Sequence, residues 1–148
     1  MDEVYMKTTV KIERLYRLFL DIVAKALNQI GVHDINNVQA LILYHIGDNQ
    51  VSVGELTMRG YYMGSNVSYN LKKLSQYGYV TQKKAVHDGR SSHVTLSEKG
   101  KKLFRQLEQI FKNQSDQWSQ ALPSGQSSKV YDSLDQMEKF LYKLGVAI

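Results

Sequence analysis

The sequence predicts a mainly α-helical chain with one β-hairpin set into the helical series, on three observations. Apolar residues recur three or four apart over most of the 148 residues. Residues 79–85 and 92–96 are instead rich in β-formers and flank Asp88-Gly89, a short-range hairpin signal. The only proline, Pro123, separates two long helical stretches.

The first helix is read over residues 7–30, where Val10, Ile12, Leu15, Tyr16, Phe19, Leu20, Val23, Leu27 and Ile30 form an apolar stripe that runs uninterrupted to Gly31. Asn36 followed by Gln39 has the spacing of a capping box, and Val38, Leu41, Ile42, His45 and Ile46 continue a short, largely buried helix to Gly47. Ser52 followed by Glu55 repeats the signal and opens a brief third helix to about Arg59. Ser65 is placed to cap a fourth, with Val67, Leu71 and Leu74 inward and Asn66, Ser68, Tyr69, Asn70, Lys72, Lys73 and Gln76 outward, ending near Tyr77 and Gly78. After the hairpin, Ser97 caps a long helix with Leu103, Phe104, Leu107, Ile110, Phe111, Trp118 and Leu122 on its apolar side. Ser124 is expected to start the last, with Val130, Tyr131, Leu134, Met137, Phe140, Leu141 and Leu144 inward.

Composition narrows what such a chain can do. It has no cysteine, which excludes disulfides, thiolate metal sites and thiol chemistry. No apolar run approaches the roughly 20 residues of a membrane span, and the acidic start Asp2-Glu3 is unlike a signal peptide, so a cytoplasmic location is expected. The formal net charge of +5 is unevenly placed. Residues 51–105 hold ten bases against three acids, and the rest of the chain nine against eleven. A basic middle between near-neutral ends is the footprint of a nucleic-acid-binding unit on a separate scaffold, although a solvated basic face has the same composition.

Helix, helix, helix and hairpin in succession, with the third helix polar and basic outside, is a winged helix-turn-helix. An α-helix fits the major groove of B-DNA, and a hairpin can follow the backbone into the adjacent minor groove. Residues 34–97 would form this DNA-binding region. Residues 1–33 and 98–148 would form a helical dimerisation region, since their apolar stripes exceed what a small winged unit can cover. A two-fold dimer would face a pseudo-palindromic duplex with half-sites roughly 10 bp apart.

Residues 80–100, VTQKKAVHDGRSSHVTLSEKG, resemble the wing of the MarR family of transcriptional regulators, whose pattern is D-x-R, a strand, L-[ST] and a glycine three residues on. Here these are Asp88, Arg90, Leu96, Ser97 and Gly100. The resemblance extends over the whole chain, with one long helix before the winged unit and two after it. It implies that Arg90 enters the minor groove, that Asp88 braces it, and that the helix from Ser65 to Tyr77 reads the major groove. The implied DNA-contacting set is Ser65, Asn66, Ser68, Tyr69, Lys72, Lys73, Asp88 and Arg90. Two tyrosines in GYYMGSN (60–66) depart from the commoner small or aliphatic turn. With SYNLKKL they resemble the LdtR branch, which implies target genes in cell-wall remodelling by an L,D-transpeptidase or in stress tolerance.

The resemblance also places a crevice between scaffold and reader, where a small aromatic or apolar effector would bind against Tyr16, Leu20, Leu41, Tyr44, His45 and Met58 and weaken DNA binding. Packed core is the plainer reading of each. Catalysis is not expected, because His45, Asp48 and Glu55 fall at core, turn and cap positions. No metal or cofactor is expected either, since His33, His45, His87 and His93 lack helical i, i+4 spacing. Double-stranded RNA fits poorly, its deep, narrow major groove being closed to a helix. The alternatives are a helical protein-interaction module and a DNA-binding protein without ligand control.

Overall fold

A computed structural model describes residues 3–58, 64–84 and 92–145, without the side chains of Gly64, Ser65 and Lys84. Its elements are α1 (Glu3–Gln29), α2 (Asn37–Ile46), β1 (Val51–Ser52), α3 (Val53–Met58), α4 (Gly64–Gln76), β2 (Val80–Lys84), β3 (Ser92–Leu96), α5 (Glu98–Ala121) and α6 (Gln126–Lys143). They fall into two compact units, Met1–Phe104 and Arg105–Ile148, with α5 passing from one to the other.

In the first unit the core is built from α2, α3, α4, the sheet and the C-terminal part of α1. Ile42, Leu43, Ile46, Leu56, Val67, Leu71, Leu74 and Val94 are each at most 1% exposed. α1 contributes only Val23, Ala26 and Leu27 to it. Upstream, Val10, Leu15, Tyr16, Leu18 and Ile22 stay 47–51% exposed, so this part of α1 keeps apolar surface that the other described residues do not cover.

The start of α2 follows its sequence signal. The Asn36 side chain accepts from the Gln39 amide at 2.8 Å, and the Gln39 side chain accepts from the Asn36 amide at 3.0 Å, closing the capping box. Asn37 ties this helix start to α1 by donating to the Leu20 carbonyl at 3.1 Å. Gly47 ends α2 at φ 59°, a conformation that favours glycine.

The sheet has the order β1-β3-β2 and is antiparallel throughout. β2 and β3 pair from Val80 opposite Leu96 to Lys84 opposite Ser92, as the hairpin reading requires. β1 was not expected: Val51 and Ser52 pair with Val94 and His93, while the Ser52 hydroxyl also accepts from the Glu55 amide at 3.0 Å and caps α3. One serine therefore serves as ladder residue and helix cap.

The sheet is locked to α5 at Ser97. Its amide donates to the Tyr79 carbonyl at 2.9 Å, its hydroxyl donates to the Gly78 carbonyl, and the same oxygen accepts from the Gly100 amide at 3.1 Å. This approach explains the glycine of the L-S-x-x-G pattern, because a Cβ on Gly100 would lie 2.1 Å from the Tyr79 carbonyl oxygen. A polar cluster holds the other side of the junction. The Tyr79 hydroxyl donates to Asp34 at 2.7 Å; the Lys99 ammonium donates to Asp34 at 3.2 Å and to the Tyr77 carbonyl at 2.8 Å, and lies 4.2 Å from the Tyr79 ring centroid. Burial alone would raise the Asp34 carboxyl, but the hydrogen bonds from Tyr79 and Lys99 outweigh it and hold it below the usual carboxylate value. Burial and then the bond to Asp34 push the Tyr79 phenol well up.

In the second unit, Trp118 on α5 donates to the Ser127 hydroxyl on α6. α6 begins at Gln126 behind Gly125, which takes φ 82° with no side-chain cap, so Ser124 does not open the helix as its residue type suggests. The left-handed turn needs the glycine, and it sets the start. α6 buries none of its residues fully.

Two stability outcomes are expected. Gly100→Ala should lose about 1–3 kcal/mol by urea denaturation, the scale of overpacking against an unyielding carbonyl, whereas Gly54→Ala, with nothing nearer than 3.8 Å, should be neutral or gain up to about 1 kcal/mol. Asp34→Asn should cost on the order of 1 kcal/mol near pH 7 for this part-exposed cluster. Because the folded-state carboxyl is lowered, its contribution is fully present above the unfolded value near 4 and disappears as pH falls through the folded value. Denaturation curves of wild type and variant should therefore converge below about pH 4.

Candidate nucleic-acid interface

α4 divides into a packed and an exposed face. Val67, Leu71 and Leu74 are fully buried, whereas Asn66, Ser68, Lys72 and Gln76 are exposed and Tyr69 is 60% exposed. The i, i+4, i+7 spacing turns one stripe onto the core and leaves a polar surface between Asn66 and Gln76. The Lys73 side chain is half-buried and its ammonium lies 5.7 Å from the Tyr69 ring centroid, near the outer limit of a cation–π contact. The fourth helix begins at Gly64, which places Ser65 in its first turn and not at the cap position.

Asn70 corrects the sequence reading. Grouped there with the outward residues, it is 8% exposed, and its side-chain oxygen accepts from Gln39 on α2 at 3.2 Å. The reason is helical: Asn70 follows Val67 by three and precedes Leu74 by four, which puts it in the buried stripe whatever its polarity. Gln39 is itself 6% exposed. Nothing in the two separate residues marks them as partners.

On the wing, Thr81, Gln82 and Lys83 of β2 are exposed and His93 of β3 is half-buried. Asp88 and Arg90 lie outside the described residues. Of the bases in the basic segment, Lys99 is occupied by Asp34 and the Tyr77 carbonyl, and Lys101 faces Glu98 at 3.5 Å. Lys72, Lys73 and Lys83 remain as described cations on α4 and β2. Sequence alone does not separate these from Lys99, because Asp34 lies 65 positions away.

The residues expected to line an effector site are spread in exposure. Leu41 is buried, Leu20, Tyr44 and His45 are half-buried, Tyr16 is 51% and Met58 71% exposed. Tyr44 stacks on Phe104 with ring centroids 5.3 Å apart and meets His45 edge-on at 6.0 Å. Leu20 instead lines an open groove of about 350 Å³ with Arg14, Arg17, Leu18, Asp21 and Asn37. Phe104 is a neighbour of the tyrosine that the sequence reading had only as an apolar position of α5. Among the described residues, no three His, Asp or Glu side chains group as a metal site, and no helix is long and apolar enough to cross a membrane.

Comparison with known proteins agrees with this geometry. Residues 35–100, which run from the start of α2 through the sheet to the first turn of α5, match the winged helix DNA-binding domain family. Over 108 residues the chain is 41% identical to the exopolysaccharide II synthesis transcriptional activator ExpG of Rhizobium meliloti. That alignment takes in 73% of this chain and 56% of ExpG, so the chain spans just over half the length of this relative. FabT of Streptococcus pneumoniae, solved in complex with DNA, superposes with a TM-score of 0.78 over 95% of this chain and 99% of its own, at 18% identity. A MarR transcriptional regulator from Methanosarcina mazei superposes at 0.75 over 94% and 99%, at 23% identity. The chain thus contains a winged helix domain, and its fold is that of the MarR regulators.

Proposed function

We propose that the protein is a homodimeric, MarR-type transcriptional regulator that reads double-stranded DNA through the outer face of α4. The observation that carries this reading is the two-sided character of that helix within the matched domain: three apolar residues fully buried behind, and Asn66, Ser68, Tyr69 and Lys72 presented in front. Asn66, Ser68 and Tyr69 have the chemistry to meet base edges, Ser65 precedes Asn66 in the first turn, and Lys72 and Lys73 supply charge for phosphates. Arg90 braced by Asp88 is assigned to the minor groove on the family resemblance. Residues 34–97 would be the DNA-binding region and residues 1–33 and 98–148 the dimerisation region.

Dimerisation is supported by apolar surface left uncovered in both units. Val10, Leu15, Leu18 and Ile22 on α1, Leu134 on α6 and Leu144 at its C-cap are 47–62% exposed. Such surface is uncommon on a monomer and is usually an interface. Relief from DNA by a small aromatic or apolar effector is assigned to the surroundings of Tyr44 and His45, with Leu20, Leu41, Tyr16 and Met58 as outlying members. The LdtR-like GYYMGSN and SYNLKKL segments favour target genes in cell-wall remodelling or stress tolerance. A second reading, activation of exopolysaccharide genes, is favoured by the identity to ExpG, whose name describes an activator of that pathway.

DNA binding is tested by titrating a duplex selected from a randomised pool across a salt series. Lys72→Ala should reduce the slope of log affinity against log salt by about 1 and weaken all sequences alike, while Asn66→Ala or Tyr69→Ala should lose about 1–3 kcal/mol of discrimination at particular bases. An unchanged slope in Lys72→Ala would remove that residue from the interface. Sedimentation should give a dimer at micromolar concentration that Leu134→Asp weakens at least tenfold; a wild-type monomer would end the homodimer reading.

A further inference from the structure

Among the described residues, the two polar side chains buried below a tenth of their surface are Gln39 and Asn70, and they are bonded to each other. Their polarity is forced by the surrounding network. Gln39 Oε1 is occupied by the Asn36 amide at 3.0 Å, which leaves Nε2 as the end that faces α4. Nε2 is a donor only, so Asn70 must present Oδ1 to it, as observed at 3.2 Å. The link therefore has one orientation. On its other side, the same helix start is held to α1 by Asn37 donating to the Leu20 carbonyl. A polar strap at the start of α2 thus reaches the α1 backbone through Asn37 and the middle of α4 through Gln39 of the capping box, where the nearby Tyr69 and Lys72 are exposed.

A buried hydrogen bond differs from apolar packing in what it fixes. Val67, Leu71 and Leu74 hold α4 against the core but tolerate small rotations and slides, because dispersion contacts are many and weakly directional. A directional bond inside an apolar layer does not, since leaving either group unsatisfied is costly. We propose that Gln39, acting through Asn70, is a positioning residue that fixes the rotation of α4 about its own axis and thereby sets sequence discrimination without touching DNA. The proposal rests on α4 being the reading helix.

The test compares affinity for the wild-type-selected duplex with affinity for poly(dI-dC), each measured below the unfolding range of every variant. Gln39→Leu combined with Asn70→Leu replaces both partners by apolar groups, so neither buried side-chain amide is left unpaired; the Asn36 amide loses its capping-box acceptor, but Asn36 is exposed at the helix start, where water can take that bond. This double variant should lose at least tenfold in the specific-to-nonspecific ratio, with the salt slope and poly(dI-dC) affinity unchanged. Gln39→Glu keeps an acceptor for the Asn36 amide, and Asn70 can turn its amide to donate to the second carboxylate oxygen, so its ratio should stay within about threefold of wild type. Ile42→Val, a buried α2 change of ordinary cost, controls for loss of stability and should leave the ratio unaltered. A double variant that keeps its ratio would overturn the positioning role while leaving α4 as the reader. A wild type with no preference for any duplex over poly(dI-dC) would remove the reading role of α4, and this proposal with it.

Discussion

The contact between the first turn of α5 and the Tyr79 carbonyl is the constraint on which the first unit is arranged. Tyr79 follows the turn that ends α4 and precedes β2, so its carbonyl sits where the core helix, the hairpin and α5 converge. Ser97 satisfies that carbonyl through its amide and reaches the Gly78 carbonyl through its hydroxyl, and Gly100 alone lets the helix come close enough for both. The L-S-x-x-G pattern is thus a structural device: it sets where the wing ends and in which direction α5 leaves. Asp34, on the α1–α2 connection, closes the same junction by accepting from Tyr79 and from Lys99 of α5.

How much of this was legible depended on whether the signal was local. The periodicity of α1, α2 and α5, the Asn36–Gln39 box and the Ser97 cap are matters of residues three or four apart, and the sequence reading of each agrees with the structure. The hairpin strands were legible for the same reason. β1 was not, because two residues carry no periodicity and Val51–Ser52 is a strand only by pairing with β3 some forty positions later. The start of α6 was misplaced by preferring a serine to the left-handed glycine beside it.

The candidate interface divides along the same line. The outward placement of Asn66, Ser68, Tyr69 and Lys72 follows from the apolar stripe behind them. Asn70 was sorted by polarity when helical geometry should have decided, and its partner is 31 positions away, beyond any local pattern. Lys99 was counted as a cation open to a polyanion, and it is held by Asp34 and a backbone carbonyl. Local patterns thus show which face a residue can occupy; whether a polar group there is committed inside the fold is decided by distant chain.

The strand order has one more effect, on colloidal behaviour. With β3 central, β2 is left as an edge whose outer backbone groups could template pairing with the wing of another molecule. Its exposed positions are Thr81, Gln82 and Lys83, and the strand holds a single valine at its buried root. Like-charged lysines brought side by side repel, so two such edges resist zipping together at the concentrations where an uncharged hairpin would begin to aggregate. The positive charge that suits β2 to a polyanion is also one that opposes edge-to-edge pairing.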